Sequence, residues 1–231
     1  MKISIHAGHN PDGLPGAGAV GYLKESTCAR EIVAQLYDFL RDVEGVEVED
    51  HTVNNGTGQN NVLRLLADRI NAFSPDVAIS IHLNSAATED AEGVETWSYP
   101  GNSEMLDLGG AITNKLSLDM GYKDRGQKKN GTLFILRKTV CSCIIIECGF
   151  VSNREDCEKY DAEEIAYAIT KAIMSVYGLA QKLPEDTEER EEDYPDALKR
   201  IQVGAFRSTA NAQAELERVK AAGWTDAFIT T

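Results

Sequence analysis

Two histidines and two glutamates carry most of the chemistry in this sequence. His9, Glu25 and His82 make a His/Glu/His donor set of the kind that holds a catalytic metal, zinc above all, with one position left for water or substrate. Glu147 is a second carboxylate, free for proton transfer. The pattern is that of a zinc hydrolase. His9 and His82 each stand just past an apolar run, in KISIHAGHN (2–10) and VAISIHLNS (77–85), with Asn or Ser close by where core residues would be expected. Glu147 follows Ile144, Ile145 and Ile146, and an apolar strand end favours the protonated carboxyl, moving its pKa toward the range where a general base works best. A carboxylate capping the next turn is the other reading of that position. Glu25 follows a Gly- and Pro-rich loop (11–21) and opens an apolar helix, so its place alone fits either a ligand aimed by the loop or an acid complementing the helix dipole. His6 stands where it can support His9 through a hydrogen bond, and a plain strand-end histidine is an equal reading of it. His51, in EDHT (49–52), has no partner motif and reads as a surface residue.

These residues need a scaffold that gathers strand ends. Strand-like runs at 2–6, 46–53, 77–82, 93–99, 133–137 and 143–147 alternate with helical apolar spacing at 25–41, 60–73, 103–120 and 162–177. That alternation predicts an α/β fold: a mostly parallel, six-stranded open sheet with helices on both faces. In such sheets ligands gather at the carboxyl ends of the strands, where His9 and His82 fall.

The composition narrows the partners. With 23 Lys and Arg against 37 Asp and Glu, the chain carries a net charge of −14, which argues against nucleic acid or anionic lipid. No run approaches the ~18 apolar residues of a membrane span, so membrane insertion is not expected. The five cysteines are odd in number and irregular in spacing, and Cys141-Ser-Cys143 is not a CxxC pair, so reduced thiols are expected. A strand pattern begins immediately after Met1 without a basic region or a signal-length apolar stretch, which predicts cytoplasmic synthesis without a signal peptide.

The expected domains are 1–180, 181–199 and 200–231. The stretch QKLPEDTEEREEDYPDALKR (181–200), which spans the middle segment, is dense in acids, carries Pro184 and Pro195, and reads as an extended linker, with a solvated helix through its Glu-rich middle as the competing reading. Beyond it, IQVGAF (201–206), a helical stretch near 209–222 and a run at 226–230 make a small C-terminal β-α-β segment. It falls below the size at which a chain usually folds without help.

Taken in order, Gly8-His9, Glu25, Ser80-Ile-His-Leu-Asn84, Gly93-Val-Glu-Thr96, Asp124-Arg-Gly126, 133–137 and Glu147-Cys-Gly-Phe-Val-Ser-Asn153 resemble the motifs of the zinc-dependent N-acetylmuramoyl-L-alanine amidases of the Amidase_3 family. The likeness runs over residues 1–178. It implies that His9, Glu25 and His82 bind Zn2+, that Glu147 is the catalytic carboxylate, and that the substrate is bacterial peptidoglycan, cut between N-acetylmuramic acid and the L-alanine of the stem peptide. Where the family commonly has Asp three residues before the first ligand, this chain has His6; where it has a Gly pair after, this chain has Asn10-Pro11. The tail (Ile201-Gln-Val-Gly-Ala-Phe206, Asn211-Ala212, Lys220-Ala-Ala-Gly223) resembles half of a SPOR domain, a peptidoglycan-binding module, which implies either a homodimer pairing two tails or a module that no longer binds glycan.

A protein made without a signal peptide and acting on the wall after release fits a phage endolysin; a host enzyme of sporulation or lysis is the alternative. A zinc metallopeptidase acting on another amide is one rival reading. A non-catalytic wall-binding protein is the other, and the intact quartet argues against it. Arg125, Lys128, Lys129 and Arg137 are ordinary surface cations at this level and receive no role.

Overall fold

The apolar and polar alternation at the amino terminus becomes an inner strand of a six-stranded sheet. The structure, a computed structural model, describes residues 1–182 and 209–221. The chain divides into two compact units, Met1–Leu183 and Pro184–Thr231. In the first, β1 (Lys2–Ala7), α1 (Glu25–Arg41), β2 (Glu47–Asp50), α2 (Gln59–Phe73), β3 (Val77–Asn84), β4 (Val94–Ser98), α3 (Ser103–Met120), β5 (Asp124–Lys129), α4 (Phe134–Lys138), β6 (Ser142–Phe150), α5 (Arg154–Glu158) and α6 (Ala162–Tyr177) follow one another. The strand order is β2-β1-β3-β6-β4-β5, with every pairing parallel except β4 against β6. This is the mostly parallel open α/β sheet that the sequence predicts.

Side chains alternate between the faces of a strand, so each inner strand supplies two sets. Ile3, Ile5 and Ala7 of β1, Val77, Ile79 and Ile81 of β3, and Ile144 and Ile146 of β6 bury against Ile32 and Leu36 of α1, Leu108 and Ile112 of α3, and Ile165 and Ile169 of α6. The opposite face places Ala78, Cys143 and Ile145 against Leu66 and Ile70 of α2 and Ile135 and Leu136 of α4. By the same alternation, His6, Ser80, His82 and Glu147 belong to this second face. It becomes polar toward the carboxyl ends of the strands.

The run 133–137, expected as a strand, instead lies mostly in the short helix α4, with Leu133 as its extended N-cap. A short apolar run does not distinguish the two conformations. Neighbours on a strand point to opposite faces, whereas Ile135 and Leu136 are both buried in the same apolar cluster, which a helical turn allows. The sixth strand is instead β5, whose sequence DRGQKK holds no apolar side chain and is set by backbone pairing with β4. Its charges suit an edge strand, where they discourage further pairing. His51 is also corrected: it is only 8 % exposed, with Nδ1 2.9 Å from Ser4 Oγ, Nε2 3.1 Å from Glu49 and its ring against Phe73. The polar residues around it in sequence conceal that β1 and α2 cover it.

Gln181 bridges to Val43, and Lys182 donates its N–H to Asp42 O at 2.8 Å, so these two residues pack on the first unit. The rest of the expected acidic linker and the SPOR-like strand segments at 201–206 and 226–230 lie outside the described residues. In the second unit, helix α7 (Thr209–Ala221) is described, with Gln213 bonded to Glu217 and Arg218 to Glu215. All five cysteines are free thiols. No helix among the described residues is long and apolar enough to cross a membrane.

Candidate active site

Beyond Ala7 the chain turns sharply. Gly8 extends the ladder by donating its N–H to Ile81 O at 2.9 Å, and His9 then adopts a φ of 66°. Left-handed backbone costs a residue with a Cβ on the order of 1–2 kcal/mol, and the surroundings hold it there. Arg30 of α1 donates through Nη2 to His9 O and Val53 O, both at 2.9 Å. Buried Asn10 clamps the following loop, donating through Nδ2 to Pro15 O and Gly56 O at 2.7 Å and accepting from Gly56 N–H at 2.9 Å. Asn10 thus has a structural task of its own, holding the loop that follows His9. Gly8 is required by the site itself, because a Cβ there would lie 2.0 Å from His82 Cε1.

Glu25 is the first residue of α1, yet its carboxylate does not cap that helix. Its N–H donates to Ala19 O at 3.0 Å, while Ala19 N–H donates back to Oε2 at 2.8 Å. With Oε2 fixed to the loop, Oε1 lies 3.0 Å from His82 Nδ1 and 3.2 Å from His9 Nε2. The two imidazoles stand edge to face, 5.0 Å between centroids. Donor atoms of His9, Glu25 and His82 all fall within 4.8 Å of one another. Burial pushes the Glu25 pKa up, but hydrogen bonds from His82 and His9 outweigh it and hold the carboxyl well below its usual range. Burial likewise works against a charge on His9, and Glu25, with help from Gln59, reverses the balance and raises its pKa.

These residues fit a divalent cation. A ligating imidazole needs its far nitrogen held so that the near one faces the metal. For His9 the holder is Gln59, the first residue of α2, whose Oε1 lies 3.0 Å from Nδ1 and leaves Nε2 toward Glu25 and His82. Of the two readings of His6, the supporting hydrogen bond to His9 is the one the structure corrects. Both ring nitrogens of His6 are buried without a partner, and it supports neither His9 nor His82 by a hydrogen bond. Gln59→Ala is expected to weaken metal affinity by about 10- to 100-fold, read by competition with a chromophoric chelator. An unchanged affinity would remove Gln59 from the site.

Burial, reinforced by His82 and His51, lowers the His6 pKa to about 3. The unfolded chain therefore binds this proton below about pH 6.5 while the folded protein stays neutral until about pH 3. Between those values the unfolded state holds one more proton, so stability is lost as pH falls, by about 1.4 kcal/mol per unit from this group alone. Urea titrations of the metal-free protein should give a shallower pH dependence for His6→Leu by that amount. Curves of equal slope would contradict it.

Glu147 is the direct register partner of His82 across β3 and β6. Its Oε2 is buried with no partner, and burial, partly offset by the nearby His82, raises its pKa to about 7. It is not among the three converging donors. Just beyond this pair the register slips by one residue, Asn84 pairing with Phe150, so a bulge ends the regular ladder beside the site. The other register partner of Glu147 is Glu95 on β4, only 2 % exposed. Burial pushes the Glu95 pKa up, but Arg125 and Lys128 outweigh it and lower the value. Gln59 and Arg30 carry no sequence signal of their own, and the motif around Glu95 does not show its contacts; each matters through a partner remote in the chain.

The chain matches the family described as N-acetylmuramoyl-L-alanine amidase, Amidase_3, over residues 3–176. It is 26 % identical to the N-acetylmuramoyl-L-alanine amidase CwlM of Bacillus licheniformis, over 99 % of this chain and 84 % of that protein. It is also 26 % identical to the sporulation-specific N-acetylmuramoyl-L-alanine amidase of Bacillus subtilis, over 97 % of this chain and 82 % of that one. Among solved structures, the catalytic domain of the CD27L endolysin targeting Clostridia difficile superposes with a TM-score of 0.68 at 26 % identity, covering 80 % of this chain and 99 % of that one.

Proposed function

The chain belongs to the Amidase_3 family of N-acetylmuramoyl-L-alanine amidases, and we propose that it is a zinc-dependent member in which His9, Glu25 and His82 hold the metal and Glu147 moves the proton. The observation that carries this reading is the convergence of three donors within 4.8 Å, with an unpartnered buried carboxylate oxygen on the residue paired to His82. Two imidazoles and one carboxylate are a catalytic zinc set. Zinc held there supplies a Lewis acid, which acidifies water and polarises the scissile carbonyl.

The rest of the chemistry falls to the chain. Glu147, with its pKa raised to about 7, takes a proton from the attacking water and returns it to the departing nitrogen of L-alanine. Gln59 fixes the tautomer of His9, and the Ala19 amide keeps Glu25 Oε2 engaged so that Oε1 faces the imidazoles. The peptidoglycan amide between the lactyl group of N-acetylmuramic acid and L-alanine is the bond cut. Metal analysis of the purified protein, with mass spectrometry of digested peptidoglycan, tests both parts. One zinc per chain and new L-alanine amines on otherwise intact stems are expected. Free muropeptide termini at any other bond would overturn the assignment.

For the biological setting, the likeness to an endolysin catalytic domain supports a phage endolysin. The likeness to a sporulation-specific amidase along nearly the whole chain favours a host role instead. Lysis of intact vegetative cells by added protein supports the first; activity confined to spore or forespore wall supports the second.

A further inference from the structure

Arg125 and Lys128 are three residues apart, and on a regular strand such side chains face opposite sides of the sheet. Strand β5 is not regular. Val94 pairs with Asp124 but Thr96 pairs with Gln127, so one extra residue bulges out of β5 where Gly126 has a φ of 75°. The bulge lets both cations reach the same carboxylate. Arg125 Nε and Lys128 Nζ each donate to Glu95 Oε2 at 2.6 Å. Arg125 also lies 4.9 Å from the Phe150 ring and Lys128 5.3 Å from the Trp97 ring. Glu95 Oε1 accepts from Asn84 Nδ2 at 3.0 Å and from Trp97 Nε1 at 3.1 Å. A buried, fully engaged carboxylate is therefore the post that aims two cations, whose side chains remain 29 % and 32 % exposed.

The place of this cluster gives it a direction. Glu95 pairs with Glu147, and Glu147 pairs with His82. Neighbouring strands are about 4.8 Å apart, so the cluster lies two strands, roughly 10 Å, from His82. If Glu147 returns a proton to the leaving nitrogen, as in the amidase reading on which this inference rests, the peptide leaves on the Glu147 side, toward β4 and β5. An extended residue spans about 3.5 Å, so a carboxylate two or three residues along the peptide reaches the cluster. The two cations and Glu95 together carry one net positive charge in a chain of net charge −14. Arg125 has five N–H donors and Lys128 three, enough to hold Glu95 and a second carboxylate together.

We infer that Arg125 and Lys128 form a carboxylate-binding subsite for the stem peptide, with Glu95 as its positioning residue. The subsite selects stems carrying a free carboxylate past the scissile alanine over stems in which that group is a carboxamide.

The test uses the full chain, loaded with zinc, and two soluble muropeptides that differ only in carboxylate or carboxamide at the second stem residue. The wild type should show a KM at least about tenfold lower for the carboxylate form, with similar kcat, since charge-assisted hydrogen bonds are lost with the amide. Arg125→Gln and Lys128→Gln should each bring that KM ratio toward one. Arg125→Lys and Lys128→Arg should retain part of it. Equal KM values for the two substrates in the wild type overturn the subsite whatever the variants do. Variants that keep the wild-type ratio, or lose kcat equally on both substrates, overturn it too by assigning the cations to structure. Cleavage of neither muropeptide by the wild type would instead reject the amidase reading beneath it.

Discussion

Glu147→Ala is expected to lower the rate of amide hydrolysis by about 10²- to 10⁴-fold while leaving metal affinity unchanged. The separation of the two effects follows from geometry. The three converging donors come from His9, Glu25 and His82, and Glu147 stands one strand further over, in register with His82 and with Oε2 unpartnered. Removing it leaves the donor set whole and takes away the group with a pKa of about 7. Glu147→Gln keeps the shape and hydrogen-bonding length but cannot accept a proton, so it should fall by a similar factor. Rate measurements beside metal titrations decide the matter. Full activity in either variant, or loss of metal from both, would sink the role assigned here.

His82→Ala should behave differently, losing bound metal and activity together. Lewis-acid stabilisation is worth several kcal/mol, and at about 1.36 kcal/mol per decade the rate should drop on the order of 10³-fold or more. His82 is the hub of the site: its Nδ1 meets Glu25, its backbone position pairs with Glu147, and its ring fills the space that Gly8 leaves open. Metal that binds only the folded state stabilises it by about 4 kcal/mol at a thousand times Kd. Added zinc should therefore raise the melting temperature of the wild type and not that of the variant. Equal zinc-induced shifts in the two proteins would show that His82 is not a ligand.

Much of the scaffold was legible because its signals are local. Helices α1, α3 and α6 start and end where the apolar spacing places them, at Glu25–Arg41, Ser103–Met120 and Ala162–Tyr177. The inner strands β1, β3 and β6 were equally plain, being apolar runs buried on both faces. Strand β5 was not, because DRGQKK has no apolar period and owes its conformation to the backbone of β4. The 133–137 run misled for the opposite reason: it is apolar enough for a strand but too short for its period to be read.

The residue types of the site, two imidazoles and two carboxylates beside strand ends, were determined by the sequence alone, as was the order of motifs that names the family. The tertiary structure decided what each one touches. Glu25 and His82 meet across 57 positions of chain, and Gln59 reaches His9 across 50, so no local pattern could reveal either contact. It put Gln59 rather than His6 against His9, placed His51 inside, and turned Arg125 and Lys128 from surface charges into a pair aimed by Glu95. The physical reason is common to all of these. Periodicity along a chain is a property of neighbours, whereas register, bulges and the partners of buried polar groups come from segments that meet only when the sheet closes over them.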